Sequence, residues 1–165
     1  MEWYMEGLVA KTEGKQKPFI HFHALVDHHT ISCIYALLPD KTKTTYNKFI
    51  EEVKNLTNLS PTSAMIDFER AMLNTLIVLF PDADVKGCFF HLGQNIYRKI
   101  QEFGFQKHYQ ENEEFSLKMR MIAALAFIPP ESVHEAFEEL YDIMPEESKP
   151  ILDYFEDHSI GRPSG

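Results

Sequence analysis

The stretch "SAMIDFERAMLNTLIVLFPDADVKGCFFHLGQ", residues 63–94, carries the pattern that fixes the fold class. An apolar run ends on Asp67 and Glu69 and passes into helical spacing, and Pro81 stops the helix. "ADVKGC" then reads as a second short run, closing on Cys88-Phe-Phe-His91. Strand, helix and strand in succession are the mark of a sheet covered by helices.

Upstream, "WYMEGLVA" (3–10), "FIHFHALV" (19–26) and "ISCIYALL" (31–38) are aromatic and β-branched runs. "KTEGKQKP" and "DHHT" separate them as turns, which predicts three successive antiparallel strands. "PDKTKTTYNKFIEEVKNL" (39–56) changes to helical spacing, with Tyr46, Phe49, Ile50, Val53 and Leu56 on one face and Thr42 or Thr44 as N-cap. Beyond Phe89 the signals are helical, with stops at Gly104, at Pro129 and Pro130, and at Pro145. The expected fold is a mixed α/β sheet of about five strands with helices, residues 1–103, followed by an all-helical portion, 104–165. The tail "SIGRPSG" reads as extended, and the chain is expected to stop before its fold does.

A length of 165 residues with 44% hydrophobic content suits a single domain with a real core. The net charge of −9 opposes nucleic-acid binding unless basic residues cluster or a metal intervenes. Cys33 and Cys88 are too few for a disulfide framework and suit a reducing, intracellular compartment. No apolar run approaches the roughly 20 residues that a membrane span needs, so no membrane partner is expected.

A carboxylate at the C-terminal end of a buried strand sits where α/β sheets commonly bind ligands, and Asp67 fits that position. Two or three such carboxylates from separate strands would suit Mg²⁺ or Mn²⁺ and phosphodiester chemistry. The simpler reading makes Asp67 the cap of the helix that begins near Glu69.

"IYALLPDKTKTTYNKFIEEV", "IDFERAM", "FPDADVKGCFFHLGQNIYRKIQEFG" and "ALAFIPPESVHEAFEEL", in this order, resemble the core of the Mutator-like element (MULE) transposases. The likeness runs from about Glu6 to Arg162. It implies a ribonuclease H-like fold and a DDE-type enzyme in which an Asp, Asp, Glu triad binds two metal ions to cut and rejoin DNA in the nucleus. The order of three hairpin strands, helix, strand, helix and strand is also that of the ribonuclease H-like fold.

The middle acid of the triad falls on Asp67. The first falls on Glu6, in "YMEGLV", where the family has Asp-Gly. Glutamate still binds metal, but its added methylene moves the carboxylate at a site that tolerates little displacement. Asp27, in a turn at the far end of the second strand, matches no motif position. The third acid, in an Asn-rich segment ahead of a helix, has no counterpart here. Glu131, Glu135, Glu138 and Glu139 look like the solvated face of an amphipathic helix.

Cys88 and His91 match the family's Cys-x-x-His signature, and Gln94 follows one helical turn after His91. The resemblance places them near the catalytic pocket and DNA. A structural zinc site needs four ligands, which nothing in the spacing supplies, so zinc is not expected and a buried thiol with a hydrogen-bonded His is the simpler reading. His21 and His23 read as surface positions of a hairpin. Lys11, Lys15, Lys17, Arg98 and Lys99 are the cations available to DNA, enough for weak non-specific contact. Recognition of transposon ends would then fall to additional domains.

The leading expectation is a transposase domain whose isolated chain lacks strand transfer. The alternative is a decayed or domesticated DNA- or protein-binding module without catalysis. A third reading, a nuclease that completes its own site, would draw on Asp142, Asp153 or Asp157. An open sheet edge is compatible with a homo-oligomer.

Overall fold

The computed structural model describes residues 2–12, 15–58 and 60–161, and the side chains of 17–25, 27–58 and 60–161. Two compact units divide the chain, Met1–Cys88 and Phe89–Gly165.

In the first unit the three N-terminal runs form β1 (Glu2–Thr12), β2 (Lys15–Val26) and β3 (His29–Leu37). Asp27 and His28 alone connect β2 to β3, with φ of 47° and 65°. Positive φ at both central residues is what a two-residue hairpin turn needs to follow the strand twist, and Asp and His tolerate it better than most. A register shift between Phe22 and His23 marks an irregularity in the β2–β3 pairing.

Helix α1 (Lys43–Thr57) follows, capped by Thr42, whose side chain accepts from the Thr45 N–H. Strand β4 (Ser63–Ile66), helix α2 (Arg70–Leu79) and strand β5 (Asp84–Gly87) complete the unit. The five strands form one sheet in the order β3-β2-β1-β4-β5. β1–β2 and β2–β3 are antiparallel, while β1–β4 and β4–β5 are parallel. The sheet is therefore mixed, and β1, β3, β4 and β5 share one direction.

Alternation along the strands selects the face that the helices cover. Ile20, Phe22, Ala64 and Ile66 pack with Tyr46, Ile50 and Val53 of α1 and Met72 and Leu76 of α2 in one buried cluster. Leu56, expected on the same stripe, is exposed instead.

The second unit contains α3 (Phe89–Glu102), α4 (Gln106–Glu111), α5 (Glu113–Ala124), α6 (Val133–Ile143) and α7 (Lys149–Phe155), and its described residues form only helices and turns. Gly104, at φ 80°, ends α3. The Phe105 N–H reaches the Ile100 carbonyl at 2.8 Å and the Gly104 N–H reaches Gln101 at 3.0 Å, the paired bonds of a left-handed helix stop. Leu92, Ile96 and Ile100 of α3 pack with Phe115, Met119, Ile122, Leu140 and Leu152. Helix α3 thus belongs to the helical unit, and the boundary runs between Cys88 and Phe89, ahead of the division after residue 103 expected from the sequence. Among the described residues no helix is long and apolar enough to cross a membrane.

Candidate metal centre

Asp67 directly follows β4 and begins the three-residue connection to α2. The N-cap of α2 is Glu69, not Asp67, and Glu69 makes no side-chain capping bond. Its side chain is half-buried at the C-terminal ends of the parallel strands.

Strand register aligns the other candidates. Glu2 pairs with Ser63, Trp3 with Ala64 and Tyr4 with Met65. Continued by two residues, the same register brings the Glu6 backbone level with Asp67. Across the β1–β2 pair, Glu6 stands opposite His21. On the other side, Ile66 pairs with Gly87, so Asp67 is level with Cys88. The Cys88 N–H donates to the Ile66 carbonyl at 2.7 Å, fixing the last rung. The Glu6 side chain lies outside the described residues, as do those of Lys11 and Lys15. The Asp27 turn, by contrast, falls at the opposite edge of the sheet, because β2 runs antiparallel to β1 and ends there.

The donor chemistry at this edge fits a hard divalent cation, since the two register-matched residues, Glu6 and Asp67, both carry carboxylates. Among the described residues no three His, Cys, Asp or Glu side chains cluster so as to hold a metal. Cys88 is a half-buried free thiol. It closes the first unit, while His91, Gln94, Arg98 and Lys99 lie on α3 in the second.

His91 has a buried Nδ1 without a hydrogen-bond partner. The simpler sequence reading, a hydrogen-bonded histidine, thus fails at that nitrogen. His21 carries a buried, unpartnered Nε2. Its ring packs against Phe19, Tyr35 and His23. The expected DNA cations of α3 differ from one another. Arg98 is exposed and bonds only loosely to Asn95 at 3.3 Å. Lys99 pairs with Glu102 and lies 4.0 Å from the centroid of the Tyr154 ring, so it is engaged within its own unit. The hydrogen bond to Glu102 raises its pKa.

Sequence reading missed one arrangement beside Asp67. Tyr46 Oη donates to Glu69 Oε1 at 2.7 Å, and Lys41 Nζ meets Glu69 Oε2 at 2.7 Å. Burial, followed by the hydrogen bond to Glu69 and the charges of Glu69, Asp67 and Asp40, raises the Tyr46 pKa strongly. A tyrosine on an apolar helix stripe signals that its hydroxyl needs a partner, which was the available clue.

Comparison with protein-family models matches residues 11–95 to the MULE transposase domain, more than half of the chain. The chain belongs to the MULE transposase family. The span matched to the MULE domain contains Asp67, Cys88, His91 and Gln94; Glu6 precedes it, and Arg98 and Lys99 follow it. A search of the curated proteins gave no match.

Beyond the span matched to the MULE domain lie the acids of the third reading. Asp142 and Asp153 line an open cavity of about 250 Å³ within the helical unit, together with Phe137, Glu138, Tyr141 and Glu156.

Proposed function

We propose that the first unit is a ribonuclease H-like transposase core in which Asp67 and Glu6 hold Mg²⁺ or Mn²⁺ for cleavage and joining of DNA in the nucleus. The observation that supports this reading is the register of β1 and β4: continued by two residues, it sets the Glu6 backbone, in the middle of β1, level with Asp67 just past the C-terminal end of β4. The family match supports the transposase class. The element order of three antiparallel strands, helix, strand, helix and strand supports the fold assignment.

When bound, a divalent cation activates water and stabilises the leaving oxygen of a phosphodiester. The chain's own part is to supply anionic oxygens at fixed positions and to admit the DNA backbone. Despite a net charge of −9, one cation stands beside the site: Lys41, paired with Glu69 two residues after Asp67. Cys88 directly follows β5 at the same strand end, and DNA end recognition belongs to further domains.

Calorimetric titration with Mn²⁺ tests the reading. Binding by the wild type that is lost in both Asp67→Asn and Glu6→Gln is the expected result. Absence of binding in the wild type would overturn it and leave a non-catalytic module of the same fold.

A further inference from the structure

The segment Asp67-Phe68-Glu69 is all that joins β4 to α2. A carboxylate on so short a connection is only as well placed as the backbone that carries it, and metal ligands must hold position within about 0.5 Å. The two residues that follow Asp67 are both anchored, and to different elements.

Phe68 is anchored to β5. A Cβ added at Gly87 would lie 2.6 Å from Phe68 Cζ, so the ring rests on the bare α-carbon of Gly87. The bond from the Cys88 N–H to the Ile66 carbonyl, 2.7 Å, ties that part of β5 to the end of β4.

Glu69 is anchored to α1 and the loop before it. Its Oε1 accepts from the hydroxyl of Tyr46, a residue with no exposed surface, and its Oε2 takes the Lys41 ammonium. With both oxygens engaged, Glu69 is not disposed as a metal ligand. Lys41 offsets part of its charge.

We propose that Tyr46, Lys41 and Glu69 on one side, and Gly87 beneath Phe68 on the other, form a two-sided brace whose function is to position Asp67 for metal binding. The inference rests on the reading of Asp67 as a metal ligand. Tyr46, Glu69 and Gly87 are positioning residues in this account: they act through the backbone of residues 67–69 and touch neither metal nor DNA.

The test is Mn²⁺ affinity and the electron paramagnetic resonance line shape of bound Mn²⁺ in the 165-residue chain, for the wild type, Asp67→Asn, Tyr46→Phe and Gly87→Ala. Residues that orient a metal ligand typically cost 10–100-fold in affinity when changed. We expect Tyr46→Phe and Gly87→Ala each to weaken Mn²⁺ on the order of tenfold and to broaden its spectrum, with the circular dichroism unchanged, while Asp67→Asn abolishes binding. If Gly87→Ala does not fold, Tyr46→Phe decides, since it removes a single oxygen. Wild-type affinity and line shape in Tyr46→Phe, with binding still lost in Asp67→Asn, would overturn the brace and leave the metal reading intact. No Mn²⁺ binding by the wild type would overturn both.

Discussion

Replacing Tyr46 by Phe isolates the hydroxyl at the centre of the brace. The ring sits in the core of the first unit with no exposed surface, and Phe fills the same volume, so the change creates no apolar void. What is lost is one hydrogen bond, 2.7 Å long, to a carboxylate. Bonds to charged groups contribute roughly 1.5–3 kcal/mol. Glu69 keeps Lys41 and a side chain 18% exposed, through which water restores part of the loss. A net cost of about 1–2 kcal/mol follows.

The single tryptophan, Trp3, lies in β1, so its fluorescence in urea reports unfolding of the first unit. At a slope of roughly 1–2 kcal/mol per molar urea, the midpoint should fall by about 1 M. A cycle with Glu69→Ala should give a coupling of about 1 kcal/mol between the two positions. The pH dependence carries a sign. A phenol whose folded pKa is raised above its unfolded value near 10 contributes stability that is complete below about pH 10 and is lost as pH rises further. The chain has six other tyrosines, so only the gap between wild type and Tyr46→Phe is diagnostic, and it should narrow above about pH 10. A variant within about 0.3 kcal/mol of wild type, or zero coupling to Glu69, would refute the reasoning.

Core truncations should separate the two units. Leu76→Ala should cost about 2–5 kcal/mol and move the Trp3 transition, whereas Ile122→Ala, in the helical core, should move mainly the far-ultraviolet circular dichroism. Gly104→Ala places a side chain at φ 80° and should destabilise the helical unit by about 1–2 kcal/mol, read from its thermal unfolding. Asp40 accepts from Thr45 Oγ1, Thr42 Oγ1 and the Thr42 N–H, and these bonds lower its pKa. Its contribution is therefore present above the ordinary carboxylate range and fades as pH falls through the lowered value. Thr45→Ala should raise the Asp40 pKa in a carboxyl-carbon NMR titration.

Much of the fold was legible because its punctuation is local. The hairpin strands are aromatic and β-branched runs cut by turn residues, and the stops at Pro81 and Gly104 and the cap at Thr42 act within a few residues of themselves. Helix α4 was not legible, since Gln106–Glu111 buries no residue and shows no apolar period. The unit boundary was hidden for another reason. Leu92, Ile96 and Ile100 announce an apolar face, but which layer that face joins depends on partners far along the chain. At the site, Asp67 stood out at the end of an apolar run. The bond between Tyr46 and Glu69 arises only when α1 and α2 pack side by side, and no spacing between residues 46 and 69 encodes it.

The central claim is that Asp67 and Glu6 share one cation. With Asp and Glu totalling 25, the chain offers other places for a metal to settle, among them the acidic cavity of the helical unit. Paramagnetic broadening of amide signals by substoichiometric Mn²⁺ locates the ion directly. The account expects Glu6, Gly7, Asp67, Phe68 and Cys88 to broaden first and together. Broadening confined to residues around Glu138, Asp142 and Asp153, with the strand ends untouched, would contradict it.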